Sequence, residues 1–466
     1  MAFDNINFTN DHDFGKYLNK FVTPSVPVTT PDQLIGRSEE LTSARRALLD
    51  IGKQIFIIGN RGVGKTSLAN VIASFYQSSD AEPLKTNCAE DTTYKTLVAD
   101  IVVKAIKRSK LTTTSEKKNL GASLNFKLGK FDSSAELIVN EKEICDQIQT
   151  ISDALKLLQE VTLLHSENPI VVVDELDRMN EDNIQPISDI IKGISDQGIN
   201  IKFIFTAVAQ THRLILGAHE SIRRQLEIID LPVLSWDDRI NLVEKIFNGF
   251  HIKVDKTTNF RIAAISDGFP FYIHTVAKQI LWDIYESENT INEINLDNYF
   301  IALKKVVKSH NSEYSVKYNK AVFKNKENYE LILWATSAGD WITNTLEEMY
   351  EAYKRIVFQR YGESFDLLEK TKFSEVVRNL TKPNRGSILM QSHTGRRGEY
   401  EFCEKMFKGY IRHHADMNQI NMENVDENGV IKTTIKQWYV SNARTGYHHS
   451  SKEPQGYPKR NSIFGD

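Results

Sequence analysis

A glycine-rich turn between an apolar stretch and a helical pattern is the feature that most constrains this chain. Residues 55–58 are wholly apolar, and residues 67–72 continue in a pattern typical of a helix. Between them the pattern G-x-x-x-x-G-K-[ST] is formed by Gly59, Asn60, Arg61, Gly62, Val63, Gly64, Lys65 and Thr66. A strand, this loop and a helix in succession are the context in which the pattern cradles a phosphate. The chain is therefore predicted to hold an α/β domain with a parallel sheet.

The loop residues have distinct expected tasks. Glycines let successive backbone N–H groups surround a phosphate, and the start of the following helix adds a positive dipole. Lys65 is expected to reach the β- and γ-phosphates of a nucleotide, while Thr66 supplies a hydroxyl oxygen to Mg²⁺. Ser67, at the start of the helix, completes the set of predicted contacts. These tasks predict ATP and Mg²⁺ as ligands.

A second motif ends in two carboxylates. Residues 170–173 are a continuous apolar run followed by Asp174 and Glu175. Such a run indicates a strand buried on both faces of a parallel sheet, and the carboxyl end of that strand is where an open α/β sheet binds ligands. Asp174 is predicted to hold Mg²⁺ through water. Glu175 is predicted to polarise the water that attacks the γ-phosphate.

A third apolar stretch, residues 201–208, is followed by polar side chains. Thr206, Gln210 and Thr211 are alternatives for a residue that senses the γ-phosphate from the neighbouring strand. Further on, Arg223 and Arg224 form an arginine pair just before another predicted strand. Such a pair is typical either of an arginine finger directed at a neighbouring subunit or of an ordinary surface ion pair.

Composition and length limit the class of protein. The chain has 466 residues, more than one hydrophobic core usually supports, so two or three domains are expected. No apolar run approaches the ~18 residues of a membrane helix, and the start lacks a secretory pattern. Three distant cysteines favour a reducing compartment over a disulfide framework. We therefore expect a cytoplasmic protein without membrane attachment.

The motifs together resemble a known family. Residues from about 24 to 280 are similar to an AAA+ ATPase of the Orc1/Cdc6-like group, which overlaps the STAND-type ATPases. The segments that carry the resemblance are residues 23–27, 35–37, 59–66, 86–88, 173–175 and 214–232. In that family the segment equivalent to Ile35, Gly36 and Arg37 lies against adenine, so the resemblance implies the same contact here. It also implies ATP hydrolysis, which we expect to be slow.

One segment departs from the initiator pattern. Initiator-type members place a sensor arginine in the lid helix, whereas residues 267–274 of this chain read Asp-Gly-Phe-Pro-Phe-Tyr-Ile-His. This is closer to the Gly-x-Pro signature of STAND proteins, whose proline packs near the base. The resemblance thus implies a nucleotide contact for Pro270, and leaves Pro270 and His274 as alternatives for reading the nucleotide state.

The resemblance and the element pattern predict a domain order. It comprises an N-terminal arm (1–34), an AAA+ P-loop core (35–232) with an inserted β-hairpin at about 109–143, a helical lid (233–312) that would bury the nucleotide against the core, a winged-helix domain (318–416) and a largely disordered tail (417–466). The inserted hairpin is either a plain surface insertion or a flap that contacts a partner.

The last third of the chain carries the predicted DNA contacts. Residues 300–466 hold 26 Lys and Arg against 20 Asp and Glu, a net charge of +6, whereas residues 1–299 carry −9. Three helical patterns and a two-stranded ribbon resemble the winged helix that ends Orc1/Cdc6-like ATPases, with the third helix in the major groove. The predicted DNA contacts are Lys370, Lys372, Lys382 and Arg385 beside that helix, and Arg396 and Arg397 at the ribbon tip.

Two readings of function remain open at this point. The first is an ATP-driven switch that forms a homo-oligomer and uses its winged helix to load onto or remodel duplex DNA. The second is a STAND-like signalling or defence ATPase that gates a partner protein without touching DNA; a small-molecule kinase is a weaker third. Either switch is expected to act with a separately encoded effector protein, while the biological process, such as replication or phage defence, is not written in these residues.

Overall fold

Two compact units make up the computed structural model, which describes residues 3, 6–77, 81–108, 141–208, 211, 220–309, 313–323, 326–339, 343–362, 366–392 and 398–422. The P-loop unit is Pro27–Leu231. The helical unit combines Met1–Val26 with Pro232–Asp466.

A five-stranded parallel sheet forms the centre of the P-loop unit. Its strands are β1 (Gln54–Ile58), β2 (Leu84–Asn87), β3 (Ile170–Asp174), β4 (Lys202–Ala207) and β5 (Leu226–Asp230). Their order across the sheet is β2-β3-β4-β1-β5, with every pairing parallel. The strands β1 and β3 are buried along their whole length, as predicted from their uninterrupted apolar residues. The predicted α/β fold with a parallel sheet is thus confirmed.

Helices accompany this sheet along the chain. After α1 (Asp11–Leu18), which belongs to the helical unit, they are α2 (Ser38–Leu49), α3 (Lys65–Tyr76), α4 (Tyr94–Lys107), α5 (Glu141–Gln147), α6 (Ile151–Leu164) and α7 (Glu181–Asp196). The core of the unit joins apolar side chains of α4, α6 and α7 to those of β3 and β4. Thr93 caps α4 with a reciprocal bond to Thr96, which fixes where this helix begins.

The helical unit begins with a lid-like bundle. Its helices are α8 (Trp236–Asn248), α9 (Lys256–Ile265), α10 (Pro270–Tyr285) and α11 (Leu296–Ser309), and a short parallel pair joins β6 (Lys253–Val254) to β7 (Glu293–Ile294). All four helices lie within residues 233–312, the range of the predicted helical lid.

The predicted N-terminal arm (1–34) is divided between the two units. Met1–Val26 group with the helical unit because aromatic side chains of α1 pack on the bundle. Phe14 is fully buried, with its ring centroid 4.2 Å from that of Tyr285 and 4.7 Å from that of Trp282. The buried area of these rings, which periodicity alone did not reveal, orders the segment.

The rest of the helical unit contains five helices and a small antiparallel sheet among its described residues. They are α12 (Glu313–Val322), α13 (Lys326–Ser337), α14 (Leu346–Tyr361), α15 (Lys370–Asn379) and α16 (Lys405–Met417), with β8 (Thr343–Thr345), β9 (Leu389–Gln391) and β10 (Glu399–Phe402). The sheet order is β8-β10-β9. Thr345 caps α14, and residues 343–345 pair with β10.

The inserted hairpin and the C-terminal tail differ at their edges from the bounds predicted for them. Residues 109–140 of the predicted hairpin lie outside the described residues, and residues 141–143 begin α5 rather than end a hairpin. The tail predicted from 417 is described as far as residue 422, and Ile420 and Met422 are buried there because their apolar side chains pack inside the unit. Within the described ranges we find no helix with the length and apolarity needed to cross a bilayer.

Candidate nucleotide-binding site

The glycine loop connects β1 to α3 and is held tightly at its first residue. A Cβ atom on Gly59 would lie 2.6 Å from the carbonyl oxygen of Leu231, which is too close for any other residue. At the other end, Gly64 precedes α3 in a left-handed conformation with φ +99°. These two positions need glycine for different reasons, the first for space and the second for backbone conformation.

Lys65 folds back over the loop that precedes it. Its Nζ donates to the carbonyl oxygens of Gly59 at 3.1 Å and Asn60 at 3.0 Å. Burial lowers the pKa of Lys65, and the negative charges of Asp177 and Asp174 oppose that effect. The ammonium group thus lies at the mouth of the loop on two carbonyl partners that phosphate oxygens could replace.

Thr66 and Asp174 meet although 108 positions separate them. The Thr66 hydroxyl oxygen lies 3.0 and 2.9 Å from the two carboxylate oxygens of Asp174 and donates to that group. Asp174 is the last residue of β3 and pairs in register with Asn87 of β2, so the carboxyl edge of the sheet positions it. A hydroxyl and a carboxylate side by side fit Mg²⁺, which takes few protein oxygens and keeps most of its waters.

The carboxyl edge offers one carboxylate and one hydroxyl to a metal ion. Among the residues the structure describes, no group of three or more His, Cys, Asp or Glu side chains could hold a metal ion by itself. One carboxylate and one hydroxyl are therefore a partial set. Mg²⁺ is the hard cation that completes such a set with substrate oxygens.

Glu175 occupies an unusual backbone conformation directly after β3. It has φ +56°, in the left-handed region that a non-glycine residue rarely adopts. Its N–H donates to the Thr206 hydroxyl at 3.0 Å, and its carboxylate pairs with Arg178 at 3.0 Å. The Glu175 side chain is half-buried whereas Asp174 is buried, so the two adjacent carboxylates have different surroundings. Strain of this kind is found most often at functional sites.

Thr206, one of the three candidates for sensing the γ-phosphate, lies in the centre of this edge, on β4. Its fully buried hydroxyl donates to Asp174 and accepts from the N–H of Glu175. Gln210 lies outside the described residues. Thr211 is buried, and its N–H donates to the carbonyl oxygen of Val208 at 3.1 Å. The sequence signal for Thr206 is a hydroxyl residue at the end of an otherwise apolar strand.

Arg37 and its neighbours lie beside the loop. Gly36 adopts φ +69°, and Ile35 is half-buried. The Arg37 guanidinium is 4 % exposed; Nη2 donates to the carbonyl oxygen of Val63 at 3.2 Å, and Nη1 lies 3.4 Å from Glu40. The adenine contact predicted for these three residues is untested. The side chain of Arg37, however, is directed at the glycine loop.

The remaining predicted loop contacts have ordinary surroundings. Arg61 is exposed, whereas Asn60 and Gly62 are half-buried. The Ser67 hydroxyl accepts from the N–H of Val28 at 3.2 Å, which fixes the segment that enters the unit against α3. Cys88 lies behind Asp174 and donates its N–H to the Asp174 carbonyl oxygen at 2.9 Å, while burial raises the pKa of its thiol to about 12.

Arg223 and Arg224 lie at the opposite edge of the sheet. They end a short 3-10 turn (Glu220–Arg224) directly before β5, and both side chains are exposed. The N–H of Gln54, the first residue of β1, donates to the carbonyl oxygen of Gln225 at 2.7 Å. The length of β1, roughly 17 Å for five residues, therefore separates this pair from the glycine loop of its own chain.

Pro270 is the first residue of α10 in the helical unit. Gly268 precedes it with φ +81°, and a Cβ atom there would lie 2.8 Å from Val233 Cβ. His274, one turn further, is buried, and its Nδ1 has no hydrogen-bond partner among the described residues. Burial lowers the pKa of His274 to about 4, so the ring is neutral. The nucleotide contact of Pro270 remains a prediction.

Five of the six predicted DNA contacts fall into three groups. Lys370 and Lys372 are exposed at the start of α15, where Lys370 pairs with Glu347. Lys382 is exposed and donates to Asn379 Oδ1 at 2.7 Å. Arg396 and Arg397 lie outside the described residues.

Arg385 has a structural task inside the unit. Its Nη1 donates to the carbonyl oxygens of Ala321, at 3.1 Å, and Phe323, and its guanidinium lies 4.1 Å from the Tyr329 ring centroid. A DNA contact would compete with these bonds. Arg378, which the sequence reasoning missed, is exposed on α15 between the lysines. Its position one helical turn from Glu375 could have been predicted from helical spacing.

Comparisons with known proteins agree with the P-loop unit. The model of a family described as AAA domain matches residues 52–215, which contain the glycine loop, β3 and β4. No curated protein matches the chain. The chain thus carries a match to an AAA domain in the part that holds the candidate site.

Several solved structures are similar at low identity. A Walker-type ATPase of Pyrococcus abyssi is 13% identical, covering 83% of this chain and 99% of its own, with a TM-score of 0.45. Cdc6p of Pyrobaculum aerophilum is 12% identical, covering 86% and 98%, with a TM-score of 0.42. Orc1 of Aeropyrum pernix, solved in complex with DNA, is 12% identical, covering 83% and 95%, with a TM-score of 0.39. Values this low do not transfer a function.

Proposed function

We propose that this protein binds ATP with Mg²⁺ at the glycine loop and hydrolyses it slowly, as an AAA+ switch. The observation that carries the proposal is the meeting of Thr66 and Asp174 within 3.0 Å beside the Lys65 ammonium. Residues 108 positions apart in the chain supply the three groups that a Mg²⁺-nucleotide requires. The AAA domain match over residues 52–215 supports the same conclusion.

Each residue at the carboxyl edge has a task in this proposal. Lys65 exchanges its two carbonyl partners for phosphate oxygens, and Thr66 and Asp174 hold Mg²⁺ directly and through water. The metal, when bound, neutralises charge on the β- and γ-phosphates. Glu175 accepts a proton from the attacking water, and Thr206 keeps Asp174 and the Glu175 backbone in place.

The substitution Lys65→Ala tests the binding step. We expect the affinity for a slowly hydrolysed ATP analogue with Mg²⁺ to fall more than about 100-fold, because the charge that faces the phosphates is lost. Titration calorimetry on the full chain measures this. Lys107→Ala removes an equal charge from the exposed end of α4 and should leave the affinity unchanged. Undiminished binding by Lys65→Ala would remove the site from this loop.

We also propose that the protein acts as a homo-oligomer in which Arg223 and Arg224 reach the nucleotide of a neighbour. The support is their position at the amino edge of the sheet, too far from their own loop to act in cis. A mixing experiment tests this. Lys65→Ala retains the arginines, and the double variant Arg223→Ala/Arg224→Ala retains the loop. Each should be inactive alone, and the mixture should regain ATPase activity; no recovery contradicts the proposal.

Duplex DNA is the partner we propose for the helical unit. The exposed cations on and after α15, namely Lys370, Lys372, Arg378 and Lys382, support it. Substituting Lys372 and Arg378 by Glu should weaken duplex affinity and flatten its salt dependence. Lys304→Glu, on the exposed face of α11, is the control. Repeating the test with Arg396→Glu/Arg397→Glu examines the ribbon tip.

Unchanged affinity in both charge-reversed variants would favour the second candidate, a STAND-like switch that gates a partner protein. The Asp267-Gly268-Phe269-Pro270 turn at the start of α10 is the observation that keeps this candidate open, since it has the Gly-x-Pro arrangement of those proteins.

A further inference from the structure

We infer that Arg37 is a positioning residue for phosphate binding, which acts by fixing the peptide between Val63 and Gly64 in the orientation that presents the Gly64 N–H to a phosphate. The inference rests on the proposed nucleotide site and deepens it. It gives the Arg37 side chain a task different from the adenine contact implied by family resemblance.

The position of Arg37 is set by the start of α2. Its backbone carbonyl accepts from the Leu41 N–H at 2.9 Å, so the residue is anchored as the N-cap of that helix. Its side chain leaves the helix end and reaches the glycine loop, where Nη2 lies 3.2 Å from the Val63 carbonyl oxygen. Glu40, one turn into α2, lies 3.4 Å from Nη1 and holds the guanidinium from the other side.

The geometry of the peptide group determines how the hydrogen bond from Arg37 to Val63 orients the Gly64 N–H. In a trans peptide the C=O and the N–H point in opposite directions. Because the Val63 carbonyl points at Arg37, the N–H of Gly64 points away from Arg37. The carbonyl of Gly64 is already engaged by the Leu68 N–H at 2.9 Å inside α3. The N–H therefore remains as the group that the loop can offer to an anion.

A restraint is needed here because glycine does not supply one. Gly64 has φ +99° and no side chain, and a Cβ atom there would meet nothing within 4 Å, so no packed side chain at this position restrains the peptide plane. Val63 is 1 % exposed, so packing fixes its side chain, but that packing does not by itself orient the peptide group that follows. A charge-assisted hydrogen bond from a guanidinium that is itself 4 % exposed is the restraint we identify.

The test distinguishes an effect of Arg37 on the glycine loop from a contact between Arg37 and the adenine base. Arg37→Met, Arg37→Lys and the control Glu39→Gln, exposed in the first turn of α2, are titrated, with Mg²⁺, against a slowly hydrolysed ATP analogue and against inorganic tripolyphosphate, which has no base. We expect Arg37→Met to weaken both ligands by the same factor, about tenfold. Arg37→Lys should recover part of the loss for both, because an ammonium can donate one bond to Val63. Glu39→Gln should stay near wild type.

The results of these titrations either support the inference or overturn it. A loss confined to the ATP analogue would assign Arg37 to the base and overturn the inference, as would no loss for either ligand. If Arg37→Met does not fold, as judged by circular dichroism, the same comparison is made with Arg37→Lys. Wild type that binds neither ligand would instead overturn the proposed function, and this inference with it.

Discussion

Two regions of this molecule bury charged groups, and they treat them in opposite ways. At the carboxyl edge of the parallel sheet, Lys65 and Asp174 are satisfied by small neighbouring groups, namely loop carbonyls and two hydroxyls. Around α16 of the helical unit, charges are enclosed entirely by protein. The bonds of the first arrangement lie at the mouth of the glycine loop, where a ligand can replace them, whereas Asp267, Lys408 and Arg412 of the second are fully buried.

The cluster around α16 consists of buried charged side chains that contact one another and backbone carbonyls. Asp267 is fully buried and lies 3.2 Å from Lys408 Nζ and 3.7 Å from Arg412 Nη1. Arg412 also donates to the carbonyl oxygens of Ala264 at 3.1 Å, Ser337 at 3.0 Å and Gly339 at 2.7 Å. One helix thereby joins the lid-like bundle to the C-terminal helices.

A second carboxylate completes this cluster. Asp416 lies 3.3 Å from Arg261 and accepts a hydrogen bond from the Tyr299 hydroxyl. Burial raises the pKa of Asp416, although the nearby cations Arg261 and Arg412 oppose it. Burial and the neighbouring Asp416 charge raise the pKa of Tyr299 well above its ordinary value. Such pairs are costly to desolvate, so their use here is to fix a specific packing of helices.

The largest expected effect is on this cluster. Asp267→Ala should lower the free energy of unfolding of the helical unit by about 3–5 kcal/mol, because two buried cations lose their shared carboxylate. Lys408→Met should cost less, since Arg412 still accompanies Asp267. Denaturant unfolding followed by tryptophan fluorescence measures both, because the described tryptophans, Trp236, Trp282 and Trp334, lie in the helical unit. A loss below about 1 kcal/mol for Asp267→Ala would show that burial does not amplify these charges.

Next in size is a pH effect at His274, which is buried without a charge partner. Its pKa of about 4 in the folded state lies below the ordinary 6.5, so protons favour the unfolded chain. Stability from this residue is complete above pH 6.5 and is lost as the pH falls toward 4, by about 3 kcal/mol. His274→Leu should flatten that slope in denaturant unfolding, whereas His12→Leu, on the exposed face of α1, should not.

At the sheet edge we expect a loss of rate without a loss of stability. Glu175→Gln should slow ATP hydrolysis about 100-fold, since a general base contributes on that order, while ATP binding and unfolding stay near wild type. Steady-state phosphate release and calorimetry measure the two effects. Glu181→Gln, exposed in the first turn of α7, is the matched control. Equal ATPase rates in wild type and Glu175→Gln would remove Glu175 from its proposed task.

The smallest expected effect concerns an exposed pair. Lys370 and Glu347 form a close ion pair, but both side chains are more than half exposed. Glu347→Gln should therefore change the unfolding free energy by less than about 0.5 kcal/mol. The same denaturant experiment checks this value. A loss above about 1.5 kcal/mol would mean that burial is not what separates the α16 cluster from surface pairs.

The candidate site divides into parts that could and could not be predicted. The glycine loop, Asp174 and Glu175 were recognisable because each lies in a short stretch whose neighbours fix its conformation, namely a strand followed at once by its functional residues. The bond from Arg37 to Val63 and the place of Thr206 between Asp174 and Glu175 could not be predicted, since they join segments 26 or more positions apart.

The sequence by itself determined the parallel α/β core and its phosphate loop, because strand hydrophobicity and glycine conformation act over a few consecutive residues. Only the tertiary structure decided that α1 packs on the helical unit, that Arg385 holds α12 through its carbonyls, and that α16 collects the buried charges. These outcomes depend on which distant side chains desolvate one another. That free energy arises when the chain is folded and has no counterpart in a local pattern.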